Sequence, residues 1–231
     1  MERYSKITRK NPREIVLLRG SGCRYRKCTF CDYHLDACPD QRENDTLNFG
    51  VLSRVTGEYG DMEVINSGSV FELSEETLRE IRRVCTEKRI GIIHFESHWL
   101  YRERIANLRR QFDDFALKMK LGLETFDAEF RENVMHKGIR ETDPETISRG
   151  FQEANLLFGL TGQTQQSMER DLELGLRYFE RICVNVMCPN STAVRPDESV
   201  IKVFREKILP RYAQNERVDI LINNTDFGVG D

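Results

Sequence analysis

The sequence predicts an α/β fold, and within that class a partial, open-sided (β/α)6 barrel of TIM-like type, as a single domain over residues 1–231. Three observations lead there. Short, branched apolar runs alternate with amphipathic charged stretches at roughly 30-residue intervals, the span of a strand–helix–strand unit. Nearly every such run is followed by polar, glycine-containing sequence, as expected where parallel strands end on one functional face. The chain is also shorter than the roughly 250 residues of a closed eight-fold barrel. A flavodoxin-like sheet is the alternative arrangement of the same units.

The first strand is residues 14–18, where Ile15, Val16, Leu17 and Leu18 run unbroken up to the glycines at 20 and 22. Further strands are expected at 62–65, 90–94, 117–122, 155–158, 182–186 and 218–222. Helices fill the gaps. Ser74, with Glu75 and Glu76 behind it, caps one that runs to about Lys88. Asp143-Pro144-Glu145 sets a cap and a first-turn proline before Ile147. Residues 165–179 repeat apolar positions at Met168, Leu172, Leu174, Leu176 and Phe179, and Asp197-Glu198 opens a last helix to about Tyr212. No Pro/Ser-rich linker, repeat or low-complexity tract interrupts the pattern.

Composition narrows the function. Hydrophobic residues are 39% and charged residues 32%, and no run approaches the roughly 20 apolar residues of a membrane span. The first residues lack the apolar core of a secretory signal. Seven cysteines, an odd number without a paired framework, argue against a disulfide scaffold and for a reducing cytoplasm. A net charge of −3 disfavours stable nucleic-acid binding. The basic residues Arg79, Arg82, Arg83, Lys88 and Arg89 are interleaved with acids, as on a solvated helix face.

The organising stretch is the loop 20–38 that follows the first strand, with Cys23, Cys28 and Cys31 inside nine residues. Three thiolates at the carboxyl end of a strand suggest a metal centre. A closed zinc site would pair Cys28 and Cys31 and add Cys23, His34 or Cys38. An iron–sulfur reading gives Cys23, Cys28 and Cys31 three irons of a [4Fe–4S] cluster and leaves the fourth open. On spacing alone the two stand level. Cys38, Cys85, Cys183 and Cys188 read as small buried hydrophobes.

The loop and its surroundings resemble the radical S-adenosylmethionine superfamily, whose pattern is C-x₃-C-x₂-C with an aromatic residue before the last cysteine. The second spacing and Phe30 match, while the first spacing is one residue longer. The resemblance covers about residues 14–190 and implies a [4Fe–4S] cluster on Cys23, Cys28 and Cys31, with S-adenosylmethionine chelated at the open iron. It implies cofactor contacts from Phe30 and Tyr33, from Asn66, Ser67, Gly68 and Ser69 toward the methionyl amine, from Glu124 toward the ribose, and from Gly159 and Leu160 toward the adenine. It also implies a reducing electron donor such as flavodoxin or ferredoxin. Reductive cleavage of the sulfonium bond would yield a 5′-deoxyadenosyl radical able to take hydrogen from a C–H bond.

Strand-end groups left over for a substrate are Glu96, His98, Trp99, Asn185, Asn190, Asn223 and Asp226. A carboxylate with neighbouring amides suits the N–H donors of a guanine-like edge, which makes Glu96 or Asp226 the expected grip on a base. Trp99, the one tryptophan, suits stacking on a flat ring or else filling core. His98 is an acid–base candidate or a structural imidazole. Residues 64–73, 94–102 and 223–231 further resemble the queuine-salvage lyases of that superfamily. This implies cleavage of the N-glycosidic bond of a modified nucleoside or its 5′-phosphate, queuosine 5′-phosphate, with residues 213–231 closing the substrate side. A radical enzyme acting on bases within tRNA and a zinc-bound, non-radical protein are the alternatives.

Overall fold

The structure, a computed structural model, describes residues 1–223 and is of the α/β class. Contacts divide the described residues into two compact units: Met1–Arg26 with Tyr33–Met119, and Lys27–Asp32 with residues 120–223.

In the first unit β1 (Tyr4–Ile7), β2 (Arg13–Leu18), β3 (Asp61–Asn66) and β4 (Ile92–Ser97) pair in chain order; β1 is antiparallel to β2 and the others are parallel. β2 is buried along its whole length, which explains why its run Ile15–Leu18 is apolar without alternation, after the buried charged residues Arg13 and Glu14. Ile15, Leu17 and Ile65 form one apolar cluster with Ile7. On β4, Phe95 meets Phe112 edge-on at 5.2 Å, so His94 and Glu96 point to the other face. There His94 Nε2 lies 3.0 Å from Asp61 Oδ1. The helices are α1 (Gln41–Leu52), α2 (Glu75–Glu87) and α3 (Ile105–Gln111). Ser74 caps α2 as expected, its hydroxyl accepting from the Thr77 N–H at 2.9 Å.

The second unit continues the pattern. From Lys120 onward β5 (Ala116–Glu124) belongs to it, and β6 (Glu153–Phe158), β7 (Arg181–Val186) and β8 (Val218–Leu221) follow, parallel and in chain order. Its helices are α4 (Ala128–Asn133), α5 (Pro144–Ser148), α6 (Gln165–Tyr178), α7 (Glu198–Val203) and α8 (Leu209–Tyr212). Glu153 and Arg181 at the strand starts are buried and ion-paired at 2.9 Å, with Asp219 3.4 Å from Arg181 and Lys120 4.0 Å from Glu153. Opposite charges in register can be buried because each is paired. They leave the carboxyl ends of the strands free for other chemistry.

Several elements differ from expectation. The strand placed at 90–94 runs from Ile92 to Ser97, because its second face carries polar side chains that the apolar run does not reveal. The last helical stretch does reach Tyr212, but not as one regular α-helix. A π turn at Phe204–Ile208 separates α7 from α8, whose first turn holds Pro210, a residue without an N–H to extend the ladder. The helix opened by Asp143 ends at Ser148, and Gly150 follows at φ 89°. β1, α1, α3 and α4 were not foreseen. Among the described residues no helix is long and apolar enough to cross a membrane.

Candidate functional site

In the first unit the stem of the cysteine loop is held by asparagines. α1 buries Asn44 and Asn48 with Val51 and Leu52, a mixed face that obscures its period in the sequence. Asn48 accepts from the Arg19 N–H at 2.7 Å and donates to the Arg19 carbonyl at 2.9 Å. Asn44 donates to the Cys38 carbonyl at 2.7 Å, while the Cys38 N–H reaches the Gly20 carbonyl at 3.3 Å. The base of the loop is thereby closed by contacts to its main chain rather than to its cysteine sulfurs.

The cofactor motif expected after β3 is also here. The Asn66 amide donates to the Ser69 carbonyl at 3.0 Å, and Ser69 Oγ donates to Ser97 Oγ at 3.0 Å. Asn66 Oδ1 and Ser67 Oγ are buried without a hydrogen-bond partner among the described residues. Orphaned buried acceptors of this kind mark a place where a bound donor completes the site.

Beyond β4, His98 Nδ1 accepts from the Leu100 N–H at 3.1 Å, and its ring stacks on Tyr25 of the cysteine loop at 4.5 Å and 20°. His98 is therefore a positioned imidazole that caps a 3₁₀ turn, Trp99–Arg104. Arg102 covers one face of Trp99 with its guanidinium 3.9 Å from the ring centre. Trp99 Nε1 is buried and unpartnered among the described residues. Glu96 is half-buried on β4, and Tyr33 opens a 3₁₀ turn, Tyr33–Asp36.

The second unit holds the other two cysteines. Cys28 and Cys31 pack against an apolar cluster of Phe30, Met135, Leu157, Leu160 and Met187. Their segment is pinned by main-chain contacts: Thr29 N–H to the Met135 carbonyl at 3.1 Å, Thr29 Oγ1 to the Val134 carbonyl at 2.7 Å, and Asn190 Nδ2 to the Phe30 carbonyl at 2.7 Å. Asn190 thus serves the cysteine segment.

Glu124 ends β5 in the left-handed region at φ 73° and accepts from Lys137 Nζ at 2.7 Å. Lys137 is buried, with its ammonium 5.6 Å from the centre of the Phe30 ring. Burial alone would discharge it. The Glu124 carboxylate, helped by Cys28 and Cys31, outweighs that and holds the ammonium charged well above the usual lysine range.

Gly159 has φ 99°, and a Cβ there would lie 2.8 Å from Ile201 Cγ1, so only glycine fits. Leu160 next to it is buried, its N–H taken by Gln163 Oε1 at 2.9 Å. Asn185 sits half-buried on β7. Asn223 is held through its carbonyl by the Cys188 thiol at 2.8 Å. Asp226 lies outside the described residues.

All seven cysteines are unbridged. Cys85 and Cys183 are buried as expected, whereas Cys38 and Cys188 are half-exposed in strand-end loops and are not core fillers. Among the described residues no three Cys, His, Asp or Glu side chains gather into one metal-ligating group; Cys23 belongs to the first unit and Cys28 and Cys31 to the second. Taken unit by unit, the unbridged Cys28 and Cys31 with buried Lys137 beside them, and in the first unit the unbridged Cys23 with the orphaned acceptors at the end of β3, have the donor chemistry that an iron–sulfur cluster and S-adenosylmethionine call for. Sequence reasoning missed Lys137, Tyr25, Arg26 and Glu72. A buried lysine has no sequence signature, although the Lys137-Gly138 step after a short helix is a weak one.

No family model matches the chain, and no curated protein matches it by sequence. Among solved structures it is similar to queuine lyase from Clostridium spiroforme bound to S-adenosylmethionine and queuine, with a TM-score of 0.95 and 43% identity over 100% of both chains. It is also similar to Streptococcus suis SuiB bound to S-adenosylmethionine, with a TM-score of 0.58 and 14% identity over 90% of this chain and 49% of that one. Methylornithine synthase (PylB) matches with a TM-score of 0.58 and 14% identity over 89% of this chain and 63% of that one. The last two likenesses show the fold alone, and that fold is the partial (β/α) barrel class expected from the sequence. Identity of 43% over 100% of both chains shows more: this chain belongs to the queuine lyase family of radical S-adenosylmethionine enzymes.

Proposed function

We propose that this chain is a queuine salvage lyase, which cleaves the N-glycosidic bond of queuosine 5′-phosphate and releases queuine. The observation that carries the reading is the full-length likeness to a queuine lyase bound to S-adenosylmethionine and queuine. Cys23, Cys28 and Cys31 hold a [4Fe–4S] cluster. When bound, the cluster and S-adenosylmethionine would supply radical chemistry able to activate a substrate C–H bond.

The chain's own residues position and shield. Asn66 Oδ1 and Ser67 Oγ, buried and unpartnered among the described residues, take N–H donors of the methionyl amine. Glu124, held by Lys137 Nζ, takes ribose hydroxyls. Phe30 and Leu160, in one apolar cluster, exclude water beside the cysteine pair. Gly159 lets the chain turn beside the adenine. Glu96 accepts from the base edge, Trp99 offers its indole N–H, and the stacked His98 orients the loop bearing Tyr25. From sequence, Asn185, Asn190, Asn223 and Asp226 complete the substrate list, with Asn190 acting through the Phe30 carbonyl.

A flavodoxin- or ferredoxin-type donor supplies the electron in the cytoplasm, and the substrate is a free nucleotide without stable nucleic-acid binding. The test is anaerobic incubation of iron- and sulfide-reconstituted protein with S-adenosylmethionine and reductant, with and without queuosine 5′-phosphate. Queuine and 5′-deoxyadenosine are expected together. A colourless, zinc-loaded protein that releases neither overturns the reading.

A further inference from the structure

We propose that Glu72 is a positioning residue that fixes the first cluster cysteine, Cys23, and the cofactor motif Asn66–Ser69 to each other. The proposal rests on the family reading of both groups. Glu72 ends the 3₁₀ turn Val70–Glu72, and both its side chain and its main chain are engaged. Carboxylate Oε2 accepts from the Ser69 N–H at 2.7 Å. Oε1 accepts from the Arg24 N–H at 2.6 Å and from the Tyr101 hydroxyl at 2.9 Å. The Glu72 carbonyl accepts from the Ser21 N–H at 3.3 Å. One residue therefore grips the chain on both sides of Cys23, at 21 and at 24.

A turn cap alone would need only the Ser69 contact. The two further bonds to Oε1 have no capping role, since Arg24 and Tyr101 lie in other segments. Charge-assisted bonds are stronger than neutral ones, and three donors on one carboxylate hold it in a single position. Packing cannot substitute for this tether. A cavity of about 220 Å³, lined by Arg19, Gly20, Ser21, Phe71, Glu72 and Ser74 among others, lies beside the loop.

Gly68 is caught in the same clamp. A Cβ at Gly68 would fall on the Glu72 carboxylate and 3.0 Å from Cys23 Cα. The motif and the cysteine are thus in backbone contact, and Glu72 closes that contact from the side. Movement of Glu72 would release both partners together.

The test compares Glu72→Gln and Tyr101→Phe with the parent chain, all full-length and reconstituted anaerobically. Glutamine keeps the shape but has one acceptor oxygen, so the Ser69 and Arg24 N–H groups cannot both be accepted. The dissociation constant for S-adenosylmethionine is expected to rise about tenfold in Glu72→Gln, roughly the loss of one charge-assisted bond. Amide exchange at residues 21–26 should accelerate, and the change in the cluster's electron paramagnetic resonance spectrum on adding S-adenosylmethionine should shrink. Tyr101→Phe, which keeps both N–H tethers, should stay within about twofold of the parent in affinity. Unchanged affinity, exchange and spectrum in Glu72→Gln, with only a lowered melting temperature, would reduce Glu72 to a turn cap and overturn the proposal. A parent chain that binds neither cluster nor cofactor overturns the family reading instead.

Discussion

The Arg26 N–H points at the sulfur of Cys23 across 3.5 Å, from a residue in the left-handed region at φ 47°. Arg26 is one of the four residues between the first two cysteines, a spacing one residue longer than the superfamily pattern. A non-glycine side chain in that conformation costs about 1 kcal/mol. Arg26→Gly is therefore expected to keep full iron content and to melt at or slightly above the parent temperature. Arg26→Val, β-branched and poorly suited to the conformation, should lose iron. Iron and sulfide analysis after reconstitution, beside thermal melts, decides the matter; equal iron in both variants would show that the turn is not what aims Cys23.

Gly68→Ala is the steric counterpart of the Glu72 substitution. Its methyl would meet the Glu72 carboxylate, which can swing away, and Cys23 backbone, which can do so only by moving the cysteine. The expected result is a loss of S-adenosylmethionine affinity larger than that of Gly50→Ala, where nothing lies within 4 Å of the added carbon. Titration of both variants against the parent checks it. Equal affinities would mean that the strand-end backbone has slack.

Strands such as 14–18 and 182–186 were legible because a buried parallel strand is apolar on both faces, and β2 and β7 are buried nearly throughout. The cysteine loop was legible because thiolates at short spacing are rare by chance. α1 was not, because it buries Asn44 and Asn48 for hydrogen bonding to Arg19 and Cys38. Glu72 and Lys137 were hidden for a related reason. Their roles depend on partners 48 and 13 residues away in sequence, and a lone charged residue carries no mark of being clamped. Glu124 stands out in the sequence by its place at a strand end, but its left-handed backbone does not, because nothing in the sequence asks for glycine there.

Lys137 and Glu124 form a buried pair, so the removal of one partner strands the other. Lys137→Met leaves a buried carboxylate with its ammonium gone, and stability should fall by about 3–5 kcal/mol. The double variant with Glu124→Gln should recover much of that loss, because neither charge then remains. Recovery of stability should not bring back S-adenosylmethionine binding if the Glu124 carboxylate serves the ribose. Urea unfolding and equilibrium dialysis on the four chains of this cycle separate the two roles. A double variant that binds as tightly as the parent would remove Glu124 from the cofactor site.

Asp171 on α6 is buried, and its Oδ1 accepts from the Phe126 N–H at 2.7 Å, just beyond Glu124. Burial pushes its carboxyl up to about 7, against the smaller lowering effects of the Phe126 N–H and Thr125. A carboxyl raised on folding is protonated in the native chain at pH values where the unfolded chain has already lost its proton. Its contribution to stability is therefore whole below about pH 4 and declines as pH rises toward 7. Between pH 5 and 8 the parent should lose up to about 3 kcal/mol from this group. Asp171→Asn keeps an acceptor for Phe126 and cannot ionise, so its stability should be nearly level over that window and should exceed the parent's at pH 8. Urea unfolding at pH 5, 6, 7 and 8 measures both slopes. Parallel curves for the two proteins would mean that Asp171 ionises in the native state as readily as in the unfolded one.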